Sequence, residues 1–290
     1  MKIAIFANTY RAEIVASLDF IFNFFEKLDA ILLLDSELCQ FLEDNGKLLA
    51  NRFEIIEGSQ FEADIVISIG GDGTFLNSAS RVGRKQIPIL GINSGSLGFL
   101  ADIPKEDIRS ALEAIVANHY WLEDRTLLYI ETSDGTVFEC PYVLNEIAIL
   151  KQEVSSMISV SATVNGQFVH TYRADGLVVS TPTGSTAYSL SVGGPIVMPQ
   201  AENIIIAPIA THSLNVRPLV IPDSWIIDLE VNSRNECFLV ALDGRSQMLN
   251  LSTRLRITKA DYTIKVVKQL DHTFFDTLKN KLMWGVDKRS

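Results

Sequence analysis

The first 120 residues alternate between two hydrophobic patterns. Short apolar runs, typical of buried strands, occur at Lys2–Ala7, Ile31–Leu34, Ile65–Ile69 and Ile87–Ile92. Apolar residues recur at helical spacing in Ile14–Lys27 and in Ser36–Leu49, where Asn45-Gly46 interrupts the pattern. They recur again from Asp102 to Ala117, where Asp102 as a capping acid and Pro104 predict the start of the helix. Because strands that alternate with helices form mostly parallel sheets, we expect a Rossmann-like α/β domain over residues 1–120.

The pattern changes at about Leu122. Pairs of apolar runs flank the turn formers Asp134-Gly135 and Asn165-Gly166, an arrangement typical of β-hairpins. Further short apolar runs follow at Ile204–Ala207, Val216–Ile221, Ile226–Val231, Phe238–Leu242 and Leu255–Ile257. Short strands without intervening helices predict an all-β domain of the layered or sandwich type over residues 121–271.

The end of the chain returns to helical spacing. Lys268–Trp284 places apolar residues, among them Phe274 and Leu278, on one face. We therefore expect a C-terminal helix, residues 272–290, that joins the N-terminal domain.

Composition narrows the class of protein. A net charge of −10 argues against a general partner of nucleic acid or of anionic membranes, which needs a basic face. The three cysteines, Cys39, Cys140 and Cys237, match neither a zinc spacing nor a disulfide framework. No window approaches the roughly 18 apolar residues of a membrane span. These features predict a cytoplasmic protein.

The strand at Ile65–Ile69 ends in Gly70-Gly71-Asp72-Gly73-Thr74, the first candidate site. Glycines at a strand–helix junction let backbone N–H groups approach a phosphate, and a helix N-terminus favours negative charge. Asp72 would repel that phosphate, so its presence suggests that it handles a proton, a hydroxyl or a metal ion beside it. The motif therefore indicates phosphoryl transfer; the alternative is an ordinary tight turn. The sequence contains neither a Walker loop nor a dinucleotide fingerprint.

Two polar segments lie further along the chain. Asn145-Glu146 sits between apolar runs and has the groups to bind an adenine edge and a ribose hydroxyl, although a solvent-facing turn is the alternative. Arg173 and Asp175 precede the hydroxyl-rich loop Ser180–Ser191. Such a loop offers many short donors and acceptors, which suits a phosphorylated, polyhydroxylated ligand.

The order and spacing of these three motifs resemble those of the bacterial NAD kinases, also described as ATP/polyphosphate-NAD kinases. Gly91–Leu100 resembles a glycine-rich segment of the same family, whereas Gly70–Thr74 alone is shared with diacylglycerol and sphingosine lipid kinases. The resemblance implies transfer of the terminal phosphoryl group of ATP to the 2′-hydroxyl of the adenosine ribose of NAD, giving NADP. It also implies a homodimer or homotetramer.

The resemblance further implies a role for each matching residue. Asp72 would accept the proton of the ribose hydroxyl, and the backbone of Gly70, Gly71 and Gly73 would face the donor phosphates. Asn145 and Glu146 would hold the adenosine half of NAD. The same pocket would be lined by Thr186, Ala187, Tyr188, Ser189, Leu190 and Ser191. Arg173 would meet a phosphate, Asp175 the nicotinamide end, and Gln247 is a weaker match. A divalent cation, expected to be Mg²⁺, would be held mainly by substrate phosphates rather than by a side-chain cluster.

Two other functions remain open from the sequence. A lipid kinase would share Asp72 and the glycines, but the polar Ser180–Ser191 loop and the lack of a basic amphipathic helix count against it. A non-enzymatic dinucleotide sensor would need the pocket but would have no use for Asp72.

Overall fold

A computed structural model describes residues 1–10, 14–47, 53–95, 97–152 and 157–284. The chain divides into two compact units, Met1–Asp124 with Ile264–Ser290 (the first unit) and Arg125–Thr263 (the second unit). The sequence predicted divisions at 120/121 and 271/272. Within the described ranges, no helix is both long and apolar enough to cross a membrane.

The first unit is built on a parallel sheet. Its strands are β1 (Lys2–Ala7), β2 (Ile31–Asp35), β3 (Phe53–Ile56), β4 (Ile65–Gly70) and β5 (Ile89–Asn93). They lie in the order β5-β4-β1-β2-β3, and each neighbouring pair is parallel. All six residues of β4 are buried, which explains its unbroken apolar run, since both faces of a parallel sheet are covered.

In the described residues up to Asp124, the first unit also contains four α-helices. They are α1 (Ile14–Glu26), α2 (Ser36–Asp44), α3 (Asp72–Val82) and α4 (Ile108–Val116). The helix predicted over Ser36–Leu49 ends at Asp44, because Asn45-Gly46 leaves helical geometry with a φ of +69° at Gly46. Leu48 and Leu49 lie outside the described residues.

The helix predicted to begin near Asp102 starts later than expected. Pro104 is extended, a short 3₁₀ turn covers Lys105–Asp107, and α4 begins at Ile108. Asp102 does not cap this helix. Its carboxylate instead forms a buried ion pair with Lys268, at 2.5 Å, which explains why it is an acid.

The second unit is formed mainly from antiparallel strands. They are β6 (Trp121–Thr132), β7 (Tyr142–Val143), β8 (Glu146–Leu150), β9 (Ile158–Val164), β10 (Gln167–Ala174), β11 (Gly176–Ser180), β12 (Asn203–Ile209), β13 (Leu219–Pro222), β14 (Ile227–Asn232), β15 (Cys237–Leu242), β16 (Arg245–Asn250) and β17 (Leu255–Lys268). The first residues of β6 and the last residues of β17 belong to the first unit. One sheet has the order β13-β12-β11-β8-β15-β16, and the other contains β10, β9, β14 and β17. Buried residues of both sheets form one hydrophobic cluster that includes Ile147, Val179 and Phe238. The predicted fold class, an α/β domain followed by a layered β domain, is confirmed.

The predicted hairpins differ in how complete they are. β9 and β10 pair around Asn165-Gly166 as expected. In the other hairpin, the segment after Asp134-Gly135 is a strand only at Tyr142–Val143, which pairs with Tyr129 and Leu128. A short helix, α5 (Tyr188–Ser191), follows a 3₁₀ turn at Thr183–Thr186.

The chain returns to the first unit at its end. Val266 of β17 pairs in parallel with Ile89 of β5, and α6 (Phe274–Leu282) follows. Thr273 starts α6 with a capping box, in which its hydroxyl accepts the N–H of Asp276 while the Asp276 carboxylate accepts the N–H of Thr273. Lys268, predicted to be helical, is the last residue of β17, and residues 285–290 lie outside the described part of the chain.

Candidate active site

The loop after β4 packs too tightly for a side chain at its first position. A Cβ on Gly70 would lie 2.2 Å from the Thr74 hydroxyl, so only glycine fits there. Gly71 precedes the first residue of α3, Asp72, in an extended conformation. The first N–H groups of a helix have no acceptor four residues earlier within it. The N–H of Thr74 donates instead to the Gly71 carbonyl at 3.1 Å, so those of Asp72 and Gly73 are the ones that can meet an anion.

A cavity of about 150 Å³ lies beside this loop in the first unit. Its lining comes from the carboxyl ends of three neighbouring parallel strands and from the start of α3: Asn8, Gly70, Gly71, Gly73, Thr74, Asn93 and Gly95. None of these side chains is charged. A small cavity lined by glycine backbone, amides and a hydroxyl at a helix N-terminus is suited to a phosphate group.

Asp72 lies between two of the lining glycines, but its carboxylate is bonded to the turn at residues 98–101. Oδ2 accepts the backbone N–H of Phe99 at 3.0 Å. Oδ1 accepts those of Leu100 and Ala101 at 3.0 and 3.1 Å. A Cβ on Gly98 would lie 2.0 Å from Oδ1, so this close approach requires glycine. The carboxylate is therefore fixed in one orientation by backbone donors.

The sequence did not assign these contacts to Asp72. The glycine-rich segment Gly91–Leu100 was recognised only by its resemblance to a family motif, and Ser96 within it lies outside the described residues. Lys281 was also missed, although its ammonium lies 3.6 Å from Oδ2 of Asp72.

In the second unit, Asn145 and Glu146 are held by an aspartate that is distant in sequence. Asp243, in the turn between β15 and β16, accepts the backbone N–H groups of Leu144, Asn145 and Glu146 at 2.7, 2.9 and 3.1 Å. Burial raises the pKa of the Asp243 carboxyl. From the sequence, Asp243 was not assigned to the site, whereas its side chain fixes the backbone of the Asn145-Glu146 motif.

Glu146 has an unusual environment for a carboxylate. Burial, followed by the neighbouring Asp243 carboxyl, raises the pKa of Glu146 to about 7, while the backbone N–H of Tyr188 acts in the opposite direction. Its Oε2 is buried and has no hydrogen-bond partner among the described residues. A buried acceptor without a partner is costly and is common at sites that bind a ligand.

The hydroxyl-rich loop uses several of its side chains to hold its own shape. The Thr181 hydroxyl donates to the Leu144 carbonyl, and the Ser180 hydroxyl donates to the Asn145 carbonyl at 3.2 Å. These bonds bring the loop to the Asn145-Glu146 motif, where Tyr188 meets Glu146 at the start of α5. Thr186, Ala187, Ser189, Leu190 and Ser191 are the immediate neighbours of Tyr188 in this turn and helix.

Three predicted site residues stand apart from this cluster in their contacts. Arg173 is an exposed residue of β10, and Asp175 pairs with Lys151 at 2.6 Å. Gln247 lies on β16 opposite Val240. Within the described part of the chain, no hydrogen bond joins Arg173, Asp175 or Gln247 to Glu146.

Among the described residues there is no cluster of three or more His, Cys, Asp or Glu that could hold a metal ion. The neutral amides and the hydroxyl around the small cavity are compatible with a cation that enters on the phosphates of a ligand.

Comparison with known proteins identifies the family. Residues 26–120 match the model of the ATP-NAD kinase N-terminal domain, and residues 144–269 match that of the C-terminal domain. An NAD kinase of Bacteroides fragilis is 52% identical over 289 residues, with 100% of both chains covered. An NAD kinase of Porphyromonas gingivalis is 41% identical, with 99% of both chains covered.

Solved structures show the same fold. An NAD kinase from Archaeoglobus fulgidus in complex with ATP has a TM-score of 0.76 and 26% identity, covering 98% of this chain and 99% of that one. The yeast NADH kinase complexed with NADH has a TM-score of 0.90, covering 100% of this chain and 89% of that one, and at 22% identity it supports the fold alone. By its two domain matches and its full-length relatives, the chain belongs to the NAD kinase family.

Proposed function

We propose that this protein is an NAD kinase, which transfers the terminal phosphoryl group of ATP to the 2′-hydroxyl of the adenosine ribose of NAD and yields NADP and ADP. The observation that carries the proposal is the position of Asp72. Asp72 lies in sequence between two glycines that line a phosphate-sized cavity, and its carboxylate is fixed by three backbone N–H groups. This combination suits a base that acts next to a phosphoryl group, and family membership favours NAD over the lipid and sensor alternatives.

On the donor side, the cavity would bind a phosphate through the backbone of Gly70, Gly71 and Gly73 and the amides of Asn8 and Asn93. Positioning and charge stabilisation account for most of the catalysis of phosphoryl transfer. We expect Mg²⁺ to enter with ATP, since the described residues offer no cluster for it. When bound, such a cation offsets the negative charge of the phosphates.

On the acceptor side, Asp72 would take the proton of the ribose 2′-hydroxyl. The hydroxyl oxygen forms a bond to the terminal phosphorus, the bond from that phosphorus to the bridging oxygen breaks, and ADP leaves with the electron pair. A carboxylate has about four lone-pair sites, and backbone donors use three of them here. The remaining site is on Oδ2, which accepts a single backbone N–H.

The second unit would supply the NAD-binding residues. The unpartnered Oε2 of Glu146 is suited to accept hydrogen bonds from a ribose, and Asn145 has an amide that can recognise an adenine edge. Asp243 supports both by holding their backbone N–H groups. The same pocket is proposed to include Tyr188, whose N–H already meets Glu146.

Three expectations stay predictions: the homodimer or homotetramer, the cytoplasmic location, and the roles of Arg173, Asp175 and Gln247. Sedimentation equilibrium of the purified protein measures its oligomeric state. A mass of one chain at micromolar concentration would contradict it.

The function is tested by incubating the purified protein with NAD, ATP and MgCl₂, then measuring NADP with an NADP-specific dehydrogenase and ADP in parallel. We expect equal amounts of NADP and ADP, with no NADP when ATP is omitted. ADP formation without NADP would show ATP hydrolysis instead. Formation of neither product would overturn the proposal.

A further inference from the structure

The C-terminal helix α6 packs on the turn that holds Asp72. Phe274, the first residue of α6, lies against Phe99 with 5.9 Å between ring centroids, and Phe99 is buried. The capping box of Thr273 and Asp276 fixes the start of the helix at this point. Because the N–H of Phe99 donates to Asp72, the position of α6 is linked to that of the carboxylate.

The last turn of α6 reaches the same two residues. The Lys281 ammonium lies 3.6 Å from Oδ2 of Asp72 and 5.1 Å from the centroid of the Phe99 ring. The first distance is that of an ion pair without a short hydrogen bond, and the second is within the range of a cation–π contact. Lys281 therefore contacts the carboxylate and the side chain of one of its donors.

The residues just before α6 contact the other end of the turn at residues 98–101. Asp102, which directly follows Ala101, forms its buried ion pair with Lys268 of β17. His272 lies 4.0 Å from the same carboxylate. Residues 98–102 are thus held at both ends by the C-terminal segment of the chain.

The charge of Lys281 faces the reactive part of Asp72. Oδ1 of Asp72 accepts two backbone N–H groups, whereas Oδ2 accepts one. The Lys281 ammonium lies on the Oδ2 side. The side chains of Lys281 and Asp72 are 34% and 30% exposed, and partly exposed ion pairs contribute little to stability. Loss of the Lys281 charge should therefore affect Asp72 much more than the fold.

We propose that Lys281 is a positioning residue for phosphoryl transfer, which holds Oδ2 of Asp72 and the ring of Phe99 in the arrangement that meets the acceptor hydroxyl. The proposal rests on the role of Asp72 in the proposed function. Lys281 acts through Asp72 and Phe99, and takes no proton itself.

The test compares Lys281→Met, Lys281→Arg and Lys279→Met. Methionine keeps the methylene stem over Phe99 without the charge, arginine restores the charge, and Lys279 is an exposed lysine in the same turn of α6. For Lys281→Met we expect kcat to fall at least about tenfold, the scale of 1.36 kcal/mol in the barrier, while KM for NAD and for ATP stays within about twofold. Lys281→Arg should recover most of the rate, and Lys279→Met should match the wild type.

Three results would overturn the proposal: equal kcat for Lys281→Met and Lys279→Met, a loss that appears only in KM, or no recovery with arginine. Thermal unfolding of each variant separates these effects from instability, and Lys281→Gln replaces the methionine variant if that variant does not fold. A wild-type protein that makes no NADP refutes the proposed function, whereas a normal wild type with an unaffected Lys281→Met variant refutes this inference alone.

Discussion

Glu146→Gln should make the protein more stable at alkaline pH. The carboxyl of Glu146 titrates near 4.5 in an unfolded chain, while burial, followed by Asp243, raises its pKa to about 7 in the folded protein. Between these values the folded state holds a proton that the unfolded state has lost. The stabilisation that Glu146 contributes is therefore complete below the unfolded pKa of about 4.5, and it is lost as the pH rises through 7.

The size of the effect follows from the pKa. A shift from 4.5 to about 7 corresponds, at 1.36 kcal/mol per pKa unit, to about 3 kcal/mol of stability lost between acidic and alkaline pH. Solvent reaches part of the side chain, so we expect about 1–3 kcal/mol. Glutamine has nearly the same shape but carries no charge, so the variant avoids the cost of burying a carboxylate at pH 8.

The assay is urea unfolding at several pH values from 5 to 8.5, with the free energy of unfolding extrapolated to zero urea. As pH rises, the free energy of unfolding of Glu146→Gln should increase relative to that of the wild type. It should also vary less with pH than that of the wild type. Glu236→Gln, an exposed glutamate of the same unit, is the matched control. A difference between Glu146→Gln and wild type that does not change with pH, or a wild type more stable at pH 8, would refute the reasoning.

Variants at three further contacts test what holds the two candidate sites. Asp243→Ala leaves three backbone N–H groups without their acceptor. We expect the free energy of unfolding in urea to fall by about 2–4 kcal/mol and NAD binding in calorimetry to weaken. Unchanged values for both would contradict this. Gly98→Ala places a Cβ against Asp72, and kcat should fall at least about tenfold in a folded protein; near-normal turnover would show that the contact does not matter. Lys268→Met removes the ammonium that pairs with the buried Asp102 carboxylate and leaves His272 at 4.0 Å, so we expect a cost of about 3–5 kcal/mol. Asp102→Asn combined with Lys268→Met should cost less than the sum of the two single changes; additive costs would argue against a coupled pair.

Local patterns in the sequence predicted much of the fold. The apolar run of β4 and the glycines after it predicted a buried strand that leads into a helix, because burial on both faces and the strand–helix turn are set by adjacent residues. Asp102 was misread as a helix cap because its partner, Lys268, lies 166 residues away in sequence. Spacing within a segment carries no signal of such a contact.

The same limit applies to the candidate site. Gly70, Asp72 and the Asn145-Glu146 motif were recognisable because each is a short polar group placed between apolar runs. Asp243 and Lys281 were not assigned to the site, since they reach it only when strands and helices from distant parts of the chain are assembled. Ser180 and Thr181 were expected to serve a ligand, but their hydroxyls bond to the backbone of the preceding motif.

NADP formation by the wild type and by Asp72→Asn, measured alongside the affinity of each for NAD, tests the central claim most directly. Asparagine keeps the size of the side chain but cannot take the proton of a hydroxyl. The account predicts NADP formation by the wild type, and a variant that binds NAD normally with turnover lower by about 10²–10⁴-fold. Near-normal NADP formation by Asp72→Asn would contradict it, as would a wild type that makes none.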